Sequence, residues 1–357
     1  MKILHLANHC RRVGNGIVNV AVDLACSQSA EGHHVAFVSA RGEYIELLAQ
    51  YGVQHFDVDK KSREVWKLIE AAGRFLVVFR QFQPDIVHAH MITGALLAKA
   101  FKPWFNYRLV TTVHNEFQRS ASLMGVGDCV VAVSAAVASA LIKRGFSAGK
   151  VRVVRNGSLG TPRLASFSAD VPSLSHPSIV TVAGLNHRKG ISDLIEAFEI
   201  VARRNADAHL YIVGDGPQRA EFEAQARRSF AARRIVFAGF VADPRGYLRE
   251  ADVFVLASHR DPFPLVLMEA REAGCAVIAT RVDGVPEALD GGQAGILVPP
   301  CRSDVLGSTL ADLLDREDEL RVWRERSLRN LEPFSLARAT REYLAVYKEV
   351  LAPTLPR

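Results

Sequence analysis

Short apolar runs alternate with longer segments of helical periodicity from the start of the chain. Lys2–Leu6 reads as a buried strand, 16–31 as a helix closed by Gly32, and His34–Ser39 as the next strand. Strands at 53–56, 85–88, 108–113, 128–132 and 151–154 follow, with helices at 43–50, 61–82, 92–100 and 134–144. Strands that are apolar throughout and spaced by helices imply a mainly parallel sheet covered on both faces. Periodicity lapses between Ser158 and Pro177, where Pro162, Ser166, Ser168, Pro172, Ser173 and Ser175 gather, so a linker is expected at 161–177. A second series then begins. Strands at 178–183, 208–213, 234–238, 252–256, 276–280 and 295–298 alternate with helices at 190–204, 217–230, 244–250, 264–274 and 302–315. Amphipathic helices at 317–330 and 336–351 close the pattern. The expectation is an α/β chain of two doubly wound parallel-sheet domains, 1–160 and 178–335, facing each other across a cleft. The last segment, 336–357, is expected to pack back toward the first domain.

Composition supports this reading. The 357 residues, 49% hydrophobic and 23% charged, exceed one ordinary core and suit two domains of ~150–200 residues each. No apolar run approaches the ~20 residues of a membrane-spanning helix, and Met1–Leu6 has no cationic-then-apolar signal, so a cytoplasmic location is expected. Five cysteines (Cys10, Cys26, Cys129, Cys275, Cys301) without a C-x-x-C pair argue against a disulfide framework or zinc knuckle. The net charge of +6 is uneven: residues 1–165 carry 20 Lys and Arg against 11 Asp and Glu, and the remainder 24 against 27. The first half is therefore expected to face something anionic. Nucleic acid ranks last, because no RNP, helix-turn-helix or zinc-finger signature accompanies the charge.

Candidate chemistry gathers at strand-to-helix loops. Gly14-Asn15-Gly16 precedes a helix, but Asn19 stands where a dinucleotide fingerprint needs its third glycine and seven residues separate strand from loop, which disfavours nicotinamide binding. Such a loop can still bring backbone amides to a phosphate, or be an ordinary turn. In Ala183–Gly190, Arg188 and Lys189 stand beside a helix start, as suits a diphosphate whose charge grows as it leaves. Gly214-Asp215-Gly216-Pro217 is a tight turn into a helix. The most informative stretch is Ser258–Ala270, where Asp261 and Glu269 lie eight positions apart, one in a loop and one in the following helix. A carboxylate accepts two hydroxyls at once, so Glu269 suits a ribose diol and Asp261 a sugar hydroxyl. Asp283-Gly284-Val285-Pro286-Glu287 forms the next such loop, and His88, His90 and His114 end strands on what should be one carboxyl edge. Their spacing lacks the H-x-x-x-H form of a helical metal site, and hydrogen-bonding roles are expected instead.

Taken in order, these motifs resemble those of the retaining, nucleotide-sugar-dependent glycosyltransferases of family 4, which have the GT-B fold of two Rossmann-like domains. The likeness covers nearly the whole chain: the Gly-x-Gly loop, Pro84–His90, His114, Val133-Ser134 with Asn156-Gly157, Lys189-Gly190, Gly214–Pro217, the 261–269 element and Gly284–Glu287. It implies that Glu269 holds the donor ribose, that Lys189 neutralises the diphosphate, and that Gly14, Gly16 and Gly214 shape loops around the donor. Asp261 and the Phe263-Pro264-Leu265 backbone then grip the sugar, His114 approaches it from the other domain, and His88 and His90 lie on the acceptor side. It also implies a nucleoside-diphosphate sugar as co-substrate, no obligatory metal or other cofactor, and retention by front-face attack. Two residues depart from the family: Asp261 replaces the common glutamate, and Ala183-Gly184 replaces a common Gly-Arg, leaving Arg188 as the substitute cation.

The acceptor is expected on the first domain, as a glycan or lipid-linked molecule. Lys60, Arg63, Lys67 and Arg74 line one side of helix 61–82 and Trp66, Ile69, Leu76 and Phe79 another, while 99–108 mixes Lys99, Lys102 and Arg108 with Trp104, Phe105 and Tyr107. Peripheral contact with an anionic inner membrane surface through 60–82 and 99–108 is one reading and a solvated helix the other. The function expected is sugar transfer from a UDP- or GDP-sugar in envelope polysaccharide or glycolipid synthesis. A GT-B sugar-nucleotide epimerase and a catalytically silent sugar-nucleotide binding subunit stand as alternatives.

Overall fold

The computed structural model describes residues 1–58, 65–164 and 172–352, with the backbone alone for 65–71. The chain divides into two units, Met1–Ser166 with Pro333–Arg357, and Phe167–Glu332.

The first unit runs β1 (Lys2–His9), α1 (Gly16–Ala30), β2 (His34–Ala40), α2 (Ile45–Gln50), β3 (Gln54–Asp57), α3 (Val65–Phe82), β4 (Ile86–Ala89), α4 (Ile92–Phe101), β5 (Arg108–Val113), β6 (Cys129–Ala132), α5 (Ala135–Lys143) and β7 (Val151–Val153). Every strand pair is parallel, in the order β3-β2-β1-β4-β5-β6-β7. Strand β1 buries five successive residues after Lys2, as a central strand covered on both faces must. Helix starts are capped locally: the Asn15 carboxamide accepts from the amides of Ile17 and Val18, and the Ser134 hydroxyl from that of Val137.

The second unit runs β8 (Ser178–Val182), α6 (Ile191–Arg204), β9 (His209–Val213), α7 (Arg219–Arg228), β10 (Ile235–Gly239), α8 (Arg245–Glu250), β11 (Val253–Leu256), α9 (Leu265–Glu272), β12 (Ala276–Thr280), α10 (Val285–Ala288), β13 (Ile296–Val298), α11 (Ser303–Leu314) and α12 (Glu317–Ser327). Its sheet, β10-β9-β8-β11-β12-β13, is also parallel throughout. The core beneath it joins Ile179, Phe198, Leu210, Val255 and Ile278 to Leu306 and Leu310 of α11. The chain then returns to the first unit as α13 (Leu336–Leu351), where Tyr343, Leu344, Val346 and Tyr347 are buried with Ile3, Ile86, Val110 and Val131.

Both sheets begin in the middle, add two strands on one side and then cross to the other. The direction reverses between β1 and β4 and between β8 and β11, and ligands of such sheets bind beyond the carboxyl ends of the strands at that point. Strand and helix positions agree with the sequence reading to within a few residues. The boundaries between units differ. Thr161–Leu164, expected in the linker, forms a buried turn of the first unit, because Asp23 on the buried face of α1 needs partners. The Thr161 hydroxyl donates to that carboxylate at 2.5 Å and Arg163 Nε at 2.8 Å. Residues 165–171 of the expected linker lie outside the described residues. Pro333–Ser335 belong to the first unit, not the second: the amide of Ser158 donates to the Phe334 carbonyl at 3.0 Å and that of Leu336 to the Leu159 carbonyl at 2.8 Å. Arg119–Val126, without periodicity in the sequence, coils into 3₁₀ turns between β5 and β6. Among the described residues no helix is long and apolar enough to cross a membrane, and the five cysteines are free thiols, four of them buried.

Candidate active site

Four loops beyond the carboxyl ends of the strands of the second sheet form one hydrogen-bonded set. After β8 the chain turns through His187–Lys189 into α6, with Gly190 at φ +64°, where an added Cβ would stand 2.0 Å from the Ala257 carbonyl. After β9, Gly214 lies at φ +135°, and a Cβ there would stand 2.0 Å from the Ala183 carbonyl. Only glycine allows these loops to approach so closely. They are bound to each other by the Leu185 amide on the Asp215 carbonyl at 2.9 Å and the Gln218 amide on the Leu185 carbonyl at 3.1 Å.

The loop after β11 joins them. The His259 amide donates to the Arg188 carbonyl at 2.8 Å and Arg188 Nη1 to the Arg260 carbonyl at 2.6 Å. Lys189 Nζ donates to Asp261 Oδ2 at 2.6 Å, with side-chain exposures of 16% and 7%. The loop after β12 holds Asp261 in turn: the Asp283 carboxylate accepts from the Asp261 amide at 2.8 Å and from Arg260 Nε at 2.9 Å, and the Gly284 amide donates to the Asp261 carbonyl at 3.2 Å. Phe263 is buried, Pro264 caps α9 and Leu265 opens it, and Glu269 stands half-buried one turn later. The Arg245 guanidinium, held by Asp243 at 2.7 Å, also feels the charges of Glu272 and Glu269. This set concentrates an ammonium, guanidinium groups and carboxylates at the reversal point of the sheet, an arrangement matched to a phosphate ester that also carries hydroxyls.

Two residues that anchor this set had gone unassigned. Asp283 is the carboxylate that positions Asp261. Arg271, two residues past Glu269, is fully buried and donates to the carbonyls of Ser327, Ala288 and Arg329 and to Asp290, which fixes α9 in place. A lone cation on the buried face of a helix is the signal that could have revealed it, since such a group must find acceptors.

At the reversal point of the first sheet Arg11 and Arg12 stand in the loop after β1, and the buried groups beneath are imidazoles. Gly14, at φ +63°, and Gly16 are exposed, but the Asn15 side chain already satisfies the amides of Ile17 and Val18, two of those expected to face a phosphate. His5 of β1 pairs in register with His88 of β4, His90 lies just past β4, and His114, half-buried, lies just past β5. His88 and His90 are buried and bonded to protein. His5 Nδ1 and His90 Nε2 are 3.0 Å apart, and His90 Nδ1 and His114 Nε2 3.2 Å. His88 lies between Tyr347 and Thr112, at 2.6 Å from each hydroxyl. Burial keeps all four rings neutral, holding His5 down to about 4, His114 to about 3, and His88 and His90 well below the usual range. Nitrogens of His5, His88 and His90 lie within 4.8 Å of one another, near enough to share a metal ion. All six nitrogens of that trio already have protein partners.

Two family models match the chain, "Glycosyltransferase Family 4" over residues 14–158 and "Glycosyl transferases group 1" over 176–316. The chain belongs to the family 4 glycosyltransferases. Among curated relatives it is 29% identical to a glycogen synthase of Mycobacterium tuberculosis over 74% of this chain and 70% of that one. It is 24% identical to an N-acetyl-alpha-D-glucosaminyl L-malate synthase of Bacillus anthracis over 95% and 94%. Among solved structures, Anabaena HepE in complex with UDP and glucose superposes with a TM-score of 0.83 at 18% identity, over 98% of this chain and 99% of that one. A glycosyltransferase of Rickettsia africae gives 0.81 at 21%, over 99% of both. The fold is therefore GT-B. For this family 4 glycosyltransferase the Gly184 departure has no steric cause: an added Cβ would meet nothing nearer than Asn186 Nδ2 at 3.7 Å.

Proposed function

We propose that this glycosyltransferase moves a hexose-type sugar from a UDP- or GDP-sugar to a glycan or lipid-linked acceptor in envelope polysaccharide or glycolipid synthesis, with retention and without a metal. The observation that carries the reading is the partly buried Lys189–Asp261 pair, set in four interlocked loops with Glu269 on the helix that follows. Lys189 has three N–H donors and gives one to Asp261, so it can hold a diphosphate oxygen at the same time. Glu269 takes the ribose diol, and Asp261 with the Phe263–Leu265 backbone takes sugar hydroxyls. In the transfer the bond from the anomeric carbon to the diphosphate breaks, that carbon bonds to the acceptor oxygen on the same face, and the acceptor's proton passes to the departing diphosphate. Lys189 and Arg188 offset the growing negative charge, the role a divalent ion fills elsewhere. HepE's complexes with UDP support uridine as the base, and among the relatives a lipopolysaccharide core glycosyltransferase of Rhizobium meliloti supports an envelope acceptor.

Thermal-shift screening against UDP- and GDP-sugars tests the donor. The matching ligand at ~100 times its Kd adds ~2.7 kcal/mol to native stability, and no shift with any of them defeats the reading. Transfer should persist in EDTA with the donor's anomeric configuration in the product. Arg188→Ala should raise the donor KM, and unchanged kinetics would remove Arg188 from the site. A product formed without acceptor would favour the epimerase.

Membrane contact through 60–82 and 99–108 rests on fewer groups than the sequence offers. Phe79 and Tyr107 are buried and stack at 5.1 Å, and Lys102 is paired with Asp128. Trp104, at 72% exposure, exposed Val77 and the exposed cations Arg74 and Lys99 remain. Lys60 and Arg63, and the side chains of Trp66, Lys67 and Ile69, lie outside the described residues. Sedimentation with anionic but not neutral vesicles would support the contact, and equal binding to both would refute it.

A further inference from the structure

Four histidines of the first unit, His5, His88, His90 and His114, belong to a longer chain of hydrogen bonds that joins three strands and two helices. It runs from Thr112 to His88 at 2.6 Å, to the Tyr347 hydroxyl at 2.6 Å, to Gln28 Nε2 at 3.3 Å, from Gln28 Oε1 to His5 at 2.9 Å, to His90 at 3.0 Å and to His114 at 3.2 Å. The Tyr343 hydroxyl stands 3.3 Å from Thr112 at the far end. Every member except His114 is buried, and the rings are close, His5 with His90 at 5.3 Å and His90 with His114 at 5.5 Å between centroids.

A neutral imidazole has one N–H and one bare nitrogen, so each bond dictates the next. Gln28 Oε1 can only accept, so the proton of His5 lies on Nε2 and its Nδ1 accepts from His90 Nε2–H. His90 Nδ1 then accepts from His114 Nε2–H. In the other direction the Gln28 amide N–H donates to Tyr347, whose own proton goes to His88 Nδ1, and His88 Nε2–H donates to Thr112. All four rings therefore share one tautomer. Reversing it at one ring means turning the Gln28 amide and reversing every bond in the chain.

We propose that Gln28, His5 and His90, with Tyr347 and His88 behind them, are positioning residues that lock His114 in the Nε2–H tautomer, leaving Nδ1 as a hydrogen-bond acceptor. His114 Nδ1 then accepts a hydrogen bond from a hydroxyl of a bound sugar and has no proton to donate there. That role at the sugar rests on the reading of the preceding subsection; the shared tautomer rests on the hydrogen bonds alone.

The test is long-range ¹H–¹⁵N NMR of the histidine-labelled full chain at pH 7, which distinguishes the tautomers of each ring and needs no donor or activity. His5, His88, His90 and His114 are expected to give one pattern, neutral and protonated on Nε2. Mixed tautomers, or an imidazolium at His90 or His114, would overturn the lock. Two variants separate its links. His90→Asn places an amide near the position of Nδ1 and keeps a partner for His114; His90→Gln reaches the position of Nε2 and keeps only His5. His90→Gln should lower kcat about tenfold, the worth of one hydrogen bond, with donor KM unchanged, and His90→Asn should restore most of the loss. Equal losses in the two variants would reduce His90 to packing. If the wild-type chain shows the single tautomer but transfers no sugar, the proposed function fails and the lock stands.

Discussion

The two sheets share one order over their first six strands, yet their reversal points carry contrasting chemistry. In the second unit the loops are charged and bound to one another by Lys189–Asp261 and Arg260–Asp283, with glycines that permit close approach. In the first, buried imidazoles stay neutral in a hydrogen-bonded row. Topology decides where a ligand can meet the sheet, and the side chains at that edge decide whether the place neutralises charge or orients neutral groups.

The largest effect expected is on the charged side. Lys189→Met and Glu269→Ala should each lower kcat/KM for the donor ~10²–10³-fold, read by steady-state kinetics, whereas His90→Gln should spare donor KM. Equal damage to donor KM from both units would dissolve the contrast. Each unit also has an ion pair on a buried carboxylate, and these should divide between stability and activity. Asp23→Ala removes the buried carboxylate that accepts from Arg163 and Thr161 and should cost ~3–5 kcal/mol in urea unfolding. A smaller effect comes from acid. A histidine kept neutral by the fold is protonated first in the unfolded chain, so stability is intact above pH 6.5 and drains as the pH falls. For His5 the loss approaches about 3 kcal/mol near pH 4. Unfolding midpoints at pH 7, 6 and 5 check the slope, which His5→Phe should flatten. The smallest is a gain: Gly184→Arg, entering open space beside the Lys189 loop, should lower donor KM severalfold.

The sequence made the second site more legible than the first. Lys189, Asp261 and Glu269 could be placed because each stands in or just after a strand-to-helix loop, and apolar runs locate those loops without tertiary knowledge. The clamp of Asp283 on Asp261 was not legible, since periodicity marks where a loop lies and not which carboxylate in it takes a given amide. The histidine row was harder still. His5 sits inside the apolar run Ile3–Leu6, where an ionisable group announces a buried partner but not its identity. That partner is Gln28, which bonds Tyr347 some 319 positions away along the chain. Pairing across that separation is a property of the packed sheet, with no local pattern to betray it.

The route of the chain has a consequence for biogenesis. Tyr343 and Tyr347 leave the ribosome only after the whole of Phe167–Glu332, a delay on the order of ten seconds or more at ordinary elongation rates. During that interval the nascent first unit has an uncovered apolar face where Ile3, Ile86 and Val131 await α13. The inserted unit can acquire its structure before the unit that was begun first is finished.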